Sequence, residues 1–317
     1  MNNWEEVLSL LKDPTFDRIL VACHRSPDGD ACGSSFALAR ALRKMGKMAR
    51  VFCPDPFGED FSQITEEERD IPPFEPEHFI TVDIASPEML CDAPFVDKID
   101  LVLDHHRVNT VHGTVKFVNW ESASCGEIVL EVIRALDVPM DRFLALALYT
   151  AISTDTGCFR YSNTNENTFL AAAFLSRFVE RGDFYRINKR FFETKSHSRL
   201  MLESFAAQSV TFFASGRLAV LSVPLALQKE LGASYEELDV LINVIRQIQG
   251  VEVSLVMKEK EAGSFRVSVR SEEGFDAADF CALFGGGGHL AAAGCTVVGE
   301  ENQVLAALVC EAERRLG

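Results

Sequence analysis

The 317-residue sequence predicts an α/β protein with two domains, and three observations lead to that prediction. Short apolar segments alternate with segments of helical periodicity through the first half, which is typical of a parallel sheet covered on both faces. The length exceeds that of one small module and fits two domains of ordinary size. Hydrophobic residues make up 47% and charged residues 25% of the chain. These fractions exclude a disordered or collagen-like chain.

The first domain is predicted to contain a five-stranded parallel sheet flanked by helices. Apolar, β-branched segments predict its strands, at residues 17–24, 48–54, 78–85, 100–106 and 115–121. Helical spacing of apolar residues predicts its helices, at residues 34–47, 125–136 and 140–153. The acidic segment at 65–70 is predicted to be a solvated surface loop.

The second domain is predicted to be a smaller α/β unit with a mixed sheet. Residues 165–206 have a helical pattern without a strand signal, so we place the first domain at 1–187, a helical linker at 188–206 and the second domain at 207–317. In the second domain we predict helices at 236–249 and 276–284, with strands before and between them. A glycine-rich break then precedes a last strand at 295–299 and a closing helix.

The charge and the cysteines limit the possible partners and location. The chain has 31 Lys and Arg residues against 47 Asp and Glu residues, which gives a net charge of −16. This charge disfavours the binding of long duplex nucleic acid but is compatible with a short anionic substrate. No apolar run is long enough to cross a bilayer, and the N-terminus lacks the pattern of a secretory signal. The nine cysteines lack the C-x-x-C spacing of a zinc ribbon and are expected to be reduced. A cytoplasmic protein without membrane contact is the resulting expectation.

Four polar clusters stand out, and most of them fall where a predicted strand ends. They are His24 to Asp30, Asp83, Asp104-His105-His106 and Asp155. Taken singly, each has an ordinary explanation; Asp28 and Asp30 beside Gly29, for example, fit a turn or a helix N-cap. Because the carboxyl ends of parallel strands converge on one crevice, the clusters are instead predicted to lie together.

The residue types in these clusters predict a site for two divalent metal ions. Four carboxylates, from Asp28, Asp30, Asp83 and Asp155, would repel one another or stay partly protonated without a cation. Carboxylate oxygens and imidazole nitrogens suit Mn²⁺, and the absence of cysteine argues against a structural zinc site. Asp83 could bridge two ions. Such a pair would activate a bridging hydroxide and neutralise a phosphate during in-line attack.

A glycine run in the second domain predicts an anion site. Consecutive glycines allow backbone N–H groups to point at one anion, and His289 follows Gly285, Gly286, Gly287 and Gly288. Alone, such a run is more often a flexible turn. Arg270, in a predicted strand shortly upstream, strengthens the phosphate interpretation because arginine can bind phosphate with two hydrogen bonds.

These motifs together resemble the DHH phosphoesterase superfamily. The resemblance is carried by HRSPDGD at 24–30, VDIAS at 82–86, DHH at 104–106 and STDTG at 153–157. The segment from FRVSVRS to FGGGGHLAAAGC is similar to the associated DHHA1 substrate-binding domain. Length and domain pairing are similar to the nanoRNase and pAp-phosphatase subfamily, called NrnA-like, where pAp is 3′-phosphoadenosine 5′-phosphate.

The resemblance implies a role for each candidate residue. One metal ion would be held by His24, Asp28 and Asp83, and the other by Asp30, Asp83, His105 and Asp155. His106 would face the substrate phosphate, and Asp104 would orient a ligand histidine. Arg270, the glycines 285–288 and His289 would bind the far end of the nucleotide.

The resemblance also implies cofactors, partners and assembly. The ions would be Mn²⁺, with Mg²⁺ or Co²⁺ as alternatives. The substrate would be a short oligoribonucleotide or pAp, bound in a cleft between two domains of a homodimer.

Other functions stay open or are disfavoured at this point. A RecJ-type exonuclease usually has additional nucleic-acid-binding domains, and a family II pyrophosphatase has a different second domain. Membrane-bound cyclic-dinucleotide phosphodiesterases have transmembrane segments. A stand-alone phosphodiesterase for linear or cyclic dinucleotides, and a non-catalytic nucleotide-binding regulator, remain as alternatives.

Overall fold

A computed structural model describes residues 4–91 and 93–317, without the side chains of residues 67, 69, 235, 236 and 289. The chain divides into two compact units, the first from Met1 to Thr194 and the second from Lys195 to Gly317. This division falls inside the segment that we predicted to be a helical linker. Among the described residues, no helix is both long and apolar enough to cross a membrane.

The first unit contains the predicted five-stranded parallel sheet, in the order β2-β1-β3-β4-β5. Its strands are β1 (Ile19–Ala22), β2 (Ala49–Phe52), β3 (His78–Val82), β4 (Leu101–Asp104) and β5 (Val115–Val118). Its helices are α1 (Trp4–Lys12), α2 (Gly29–Lys44), α3 (Ser62–Thr65), α4 (Cys125–Ala135), α5 (Arg142–Asp155), α6 (Glu166–Leu175) and α7 (Asp183–Asn188), followed by a π-helical turn (Lys189–Glu193).

The two faces of this sheet are covered differently. Alternate strand residues such as Val21 and Val82 join one core with α1, α2, α4 and α5. The intervening residues, such as Ala22 and Val102, face a smaller core that is closed by residues 84–91 and 93–99, which carry two short 3₁₀ turns. The large core is therefore built by helices and the small one mainly by loops.

Helix α2 is the central helix of the first unit, and nearly all of its sides are buried. It begins at Gly29, five residues before the predicted start, because the Asp28 side chain accepts a hydrogen bond from the Ala31 N–H as an N-cap. A Cβ on Gly33 would lie 2.2 Å from the Ala147 carbonyl oxygen. Glycine at this position therefore allows α2 and α5 to approach closely.

The second unit contains the predicted mixed sheet, which has six strands and lies between two helical layers. Its strands are β6 (Thr211–Phe213), β7 (Leu218–Val223), β8 (Val253–Glu261), β9 (Ser264–Ser271), β10 (Gly287–His289) and β11 (Ala292–Val298), in the order β10-β11-β9-β8-β7-β6. Strands β7 and β8 are parallel and the other pairs are antiparallel. Its helices are α8 (His197–Ser209), α9 (Leu225–Leu231), α10 (Tyr235–Asp239), α11 (Leu241–Ile245), α12 (Ala277–Ala282) and α13 (Glu301–Leu316).

Three local predictions were wrong. The helix predicted at 236–249 is two short helices, α10 and α11, since the segment is rich in β-branched residues that disfavour a long helix. The glycine-rich break contains strand β10, whose hydrogen bonds are supplied by β11. The acidic segment at 65–70 includes a 3₁₀ turn, and its Glu68 is mostly buried, 2.8 Å from Arg43.

Candidate active site

The candidate residues of the first unit lie at the carboxyl edge of its sheet. His24 follows β1, Asp83 follows β3, and Asp104 ends β4. The strand order reverses direction between β1 and β3, and this switch point is where open α/β sheets bind ligands. The first turn of α2 adds Asp28 and Asp30. The predicted convergence is therefore present in the structure.

Asp83 lies at the centre of this cluster in a left-handed backbone conformation. Its φ of 59° is in a region that, besides glycine, mainly asparagine and aspartate adopt. The side chain is buried, and its Oδ1 has no hydrogen-bond partner among the described residues. Oδ1 lies 3.5 Å from His105 Nε2, and Oδ2 lies 3.5 Å from His24 Nε2. Asp83 thus links two groups of side chains.

The two groups that share Asp83 have the composition of metal sites. The first contains His24, Asp28 and Asp83, and the second adds Asp30 and Asp155 around His105. His105 Nε2 lies 3.6 Å from Asp30 and 3.6 Å from Asp155. These contacts are longer than hydrogen bonds, whereas ligands about 2.1 Å from a shared tetrahedral ion lie about 3.4 Å apart. The donor set and its spacing fit divalent cations.

The backbone fixes which nitrogen each of these histidines presents. His24 Nδ1 lies 2.8 Å from the Arg25 carbonyl oxygen, and His105 Nδ1 lies 3.3 Å from that of Ser122. A carbonyl can only accept, so Nδ1 carries the proton in each ring and Nε2 offers its lone pair to the cluster. This is the usual arrangement of a metal-binding histidine.

Asp30 is held by the start of helix α4. Its Oδ1 accepts hydrogen bonds from Ser34 Oγ at 2.8 Å and Gly126 N at 2.9 Å, and its Oδ2 accepts one from Cys125 N at 2.6 Å. Backbone N–H groups at a helix N-terminus stabilise a carboxylate. Asp30 is therefore fixed in place while it faces His105.

Without a cation, this cluster holds protons. Burial opposes the charge on both rings, but Asp83 and the other carboxylates outweigh it and raise the pKa of His24 to about 9 and that of His105 to about 10. Burial, with the charges of Asp83 and Asp28, raises the pKa of Asp155 to about 7 against the opposing effect of His105. The two imidazolium charges outweigh burial at Asp83, whose pKa lies well below its usual range. Positive charge, from protons or from a cation, therefore stabilises the carboxylates of this site.

Asp104 contacts His106, whose Nδ1 also lies 3.7 Å from Asp83 Oδ1. The buried Oδ1 of Asp104 lies 2.8 Å from His106 Nδ1, and its Oδ2 accepts a hydrogen bond from Asn109 Nδ2 at 2.5 Å. The hydrogen bond that His106 donates to the Asp104 carboxylate raises the pKa of His106. The His106 side chain is 37% exposed, so its Nε2 is the atom that can meet a substrate. No sequence pattern indicated Asn109, because its hydrogen bond to Asp104 depends on the conformation of the loop.

The second unit places Arg270 in β9 and the end of the glycine run in β10, with β11 between the two strands. Position 289, Ala292 and Arg270 form one row across β10, β11 and β9. The side chain of His289 lies outside the described part of the chain. In the glycine run, Gly285 and Gly288 have φ angles of 72° and 150°, and Gly286 N donates to the Cys281 carbonyl at 2.9 Å.

Arg246 is a candidate that the sequence did not indicate. Burial and the nearby positive charge of Arg246 lower the pKa of Arg270, against the opposing charge of Asp239. The buried Nε–H of Arg246 has no hydrogen-bond partner in the described part of the chain. Two arginines whose positive charges repel each other favour the binding of an anion.

Comparison with known proteins agrees with this geometry. Residues 18–152 match the model of the DHH family, N-terminal domain, and residues 216–315 match that of the DHHA1 domain. A protein of Thermus thermophilus named bifunctional oligoribonuclease and PAP phosphatase NrnA is 32% identical over 299 residues, which covers 93% of this chain and 87% of that protein. A Bacillus subtilis protein of the same name is 25% identical over 302 residues, covering 92% and 94%.

A solved structure supports the fold over nearly the whole length. The crystal structure of an exopolyphosphatase-related protein from Bacteroides fragilis superposes with a TM-score of 0.85 at 21% identity, covering 98% of this chain and 96% of that one. The chain therefore belongs to the DHH family with a DHHA1 domain, in the group that contains the proteins named bifunctional oligoribonuclease and PAP phosphatase NrnA.

Proposed function

We propose that this protein is a metal-dependent phosphoesterase that hydrolyses short oligoribonucleotides to mononucleotides and pAp to AMP. The observation that carries the proposal is the pair of donor groups joined by Asp83, beside His106. The names of the relatives at 32% and 25% identity supply the substrate class.

The ligand residues are assigned to two ions. His24, Asp28 and Asp83 would hold one, and Asp30, Asp83, His105 and Asp155 would hold the other. Ions bound there would lower the pKa of a bound water and neutralise the phosphate charge. Mn²⁺ is the proposed ion because the set combines carboxylates with imidazoles and contains no thiolate.

His106 is the proposed catalytic side chain. Asp104 holds its Nδ1 and raises its pKa, so that Nε2–H can donate to the phosphoryl oxygens or protonate the leaving oxygen. Asn109 fixes the Asp104 carboxylate from its other oxygen. Because both contacts join the end of β4 to the loop that follows it, the donor is oriented before substrate arrives.

We assign recognition of the nucleotide to the second unit. Arg270 and Arg246 offer guanidinium groups to a phosphate, and the glycine run from Gly285 to Gly288, with His289 after it, is assigned to the same site. The N–H groups of Gly285 and Gly286 already donate to the Ala282 and Cys281 carbonyls, so these two glycines would provide space for the phosphate and not hydrogen-bond donors. A homodimer and a cytoplasmic location are part of the same proposal, since the resemblance implies the first and the sequence favours the second.

A substrate panel tests the proposal. The protein would be incubated with Mn²⁺, Mg²⁺ or Co²⁺ and with pAp, pApA, a labelled five-nucleotide RNA, pyrophosphate and cyclic dinucleotides. We expect the highest kcat/KM on pAp and the short RNAs, and loss of activity with EDTA. Preference for cyclic dinucleotides, or binding of pAp without turnover at saturating Mn²⁺, would contradict the proposal.

Matched variants link that activity to the site. His105→Ala should abolish hydrolysis, whereas His112→Ala, at an exposed histidine of the same unit, should not. Arg270→Ala and Arg246→Ala should raise KM for pAp and leave Mn²⁺ affinity unchanged. Full activity of His105→Ala would refute the assignment.

A further inference from the structure

The two tryptophans of the chain have opposite environments. Trp4 packs against Phe117, with ring centroids 5.0 Å apart. Trp120 is 61% exposed. A large aromatic side chain gains free energy from burial, so an exposed one at a functional edge is a candidate contact for a ligand.

The backbone around Trp120 is tied to the candidate active site. Asn119 N donates to the Asp104 carbonyl at 2.9 Å, and the Ser122 carbonyl faces His105 Nδ1 at 3.3 Å. Trp120 lies between these two anchors. The loop is braced from its other side by Asn165 Nδ2, which donates to the Glu121 carbonyl at 3.3 Å. The exposed indole is thus carried by a fixed loop next to the DHH residues.

Arg107 adds a positive charge to the same position. It follows His106 directly, and its guanidinium carbon lies 5.8 Å from the centroid of the Trp120 ring. An exposed aromatic ring with an adjacent cation is the combination that binds single-stranded nucleic acid, because every base can stack and every linkage is anionic.

We propose that Trp120, with Arg107 beside it, is a stacking platform for the second nucleoside of an oligonucleotide, which makes it a specificity residue. This inference rests on the proposed function. The 3′-phosphate of pAp carries one nucleoside, whereas an internucleotide phosphate carries one on each side. The platform therefore supports hydrolysis of pApA and longer RNA and leaves hydrolysis of pAp unaffected.

Steady-state kinetics on the full chain test this role. Trp120→Ala should lower kcat/KM on pApA by about five- to a hundredfold and leave kcat/KM on pAp within about twofold. Trp120→Phe should restore most of the loss, because phenylalanine also stacks. Tyr185→Ala, at a similarly exposed aromatic residue of the first unit, is the control and should leave kcat/KM on both substrates unchanged. Equal loss on both substrates, or no loss on either, would overturn the inference.

Fluorescence separates this inference from the proposed function. In a Trp4→Phe background Trp120 is the only tryptophan, and titration with pApA in EDTA should quench its emission more than titration with AMP. Absence of quenching would contradict the stacking role of Trp120 even if the protein hydrolyses both substrates. If the wild-type protein hydrolyses neither substrate but pApA still quenches the Trp120 emission of the Trp4→Phe variant, the proposed function fails and the stacking role of Trp120 stands. Light scattering must show an unchanged assembly state for Trp120→Ala; dissociation would identify a contact between copies and overturn the proposal.

Discussion

The Nδ1 atom of His106 lies 2.8 Å from Oδ1 of Asp104, and the other oxygen of that buried carboxylate is bound by Asn109. The middle residue of the motif, His105, has its Nε2 within 3.6 Å of three carboxylates, those of Asp30, Asp83 and Asp155, whereas His106 Nδ1 lies 3.7 Å from Asp83 Oδ1 and is hydrogen-bonded to Asp104. One histidine is therefore suited to an ion and the other to a substrate.

Asp104→Asn should lower kcat on pAp at least about 10²-fold, because the neutral amide no longer stabilises a protonated His106. Mn²⁺ affinity, measured by calorimetry, should stay within about twofold, since Asp104 touches neither group of metal donors. Asn109→Ala removes only the second hydrogen bond and should have a smaller effect on kcat. An Asp104→Asn variant that loses Mn²⁺ but keeps its turnover with excess metal would contradict this division of roles.

Metal affinity should rise with pH. His24 and His105 have pKa values of about 9 and about 10 in the metal-free protein, so an ion must displace their protons at neutral pH. Each displaced proton makes the apparent affinity increase up to about tenfold per pH unit between pH 6 and pH 9. Calorimetry in two buffers of different ionisation enthalpy should detect the released protons. Binding that releases none would contradict the histidine assignment.

Asp155→Asn should stabilise the metal-free protein more at pH 8 than at pH 5. The folded-state pKa of Asp155, about 7, lies above the ordinary value of 3.8. The folded state therefore holds a proton that the unfolded chain loses as pH rises through 3.8, and stability declines from there up to pH 7. The difference between the two pH values should be about 2.6 kcal/mol in urea denaturation with EDTA. A gain in the free energy of unfolding that is equal at pH 5 and pH 8 would contradict the raised pKa of Asp155.

Gly33→Ala should destabilise the protein although alanine is the better helix former. The added methyl group would meet the Ala147 carbonyl oxygen of α5. Overpacking costs about 1–3 kcal/mol, which exceeds the gain of about 1 kcal/mol in helix propensity. The free energy of unfolding in EDTA should fall, and Mn²⁺ affinity should fall with it because α5 carries Asp155. Unchanged stability would show that the helix contact is looser than described.

The sequence was sufficient to predict the fold class and the convergence of the candidate metal ligands. Alternating segments fixed the parallel sheet, and in such a sheet residues after β1, β3 and β4 must meet at one edge. His24, Asp83 and His105 could therefore be placed together without coordinates. The resemblance then divided them between two ions.

Other features depended on tertiary contacts that a pattern does not contain. The partner of Asp104 and the role of Asn109 follow from the loop after β4. The proximity of Arg246 to Arg270 requires the packing of α11 on its sheet. Strand β10 forms in a glycine run with low strand propensity because β11 supplies its partners.

Calorimetric titration of Mn²⁺ into the wild-type protein and Asp83→Asn tests the central claim most directly. Asparagine tolerates the positive φ at this position, so the variant removes charge without forcing a change of the backbone. Asp97→Asn, at an exposed aspartate of the same unit, is the control. We expect about two ions per chain in the wild type and the control, and at least a tenfold loss of affinity for both ions in Asp83→Asn. One ion per chain in the wild type, or two ions bound with unchanged affinity in Asp83→Asn, would contradict a shared bridging carboxylate.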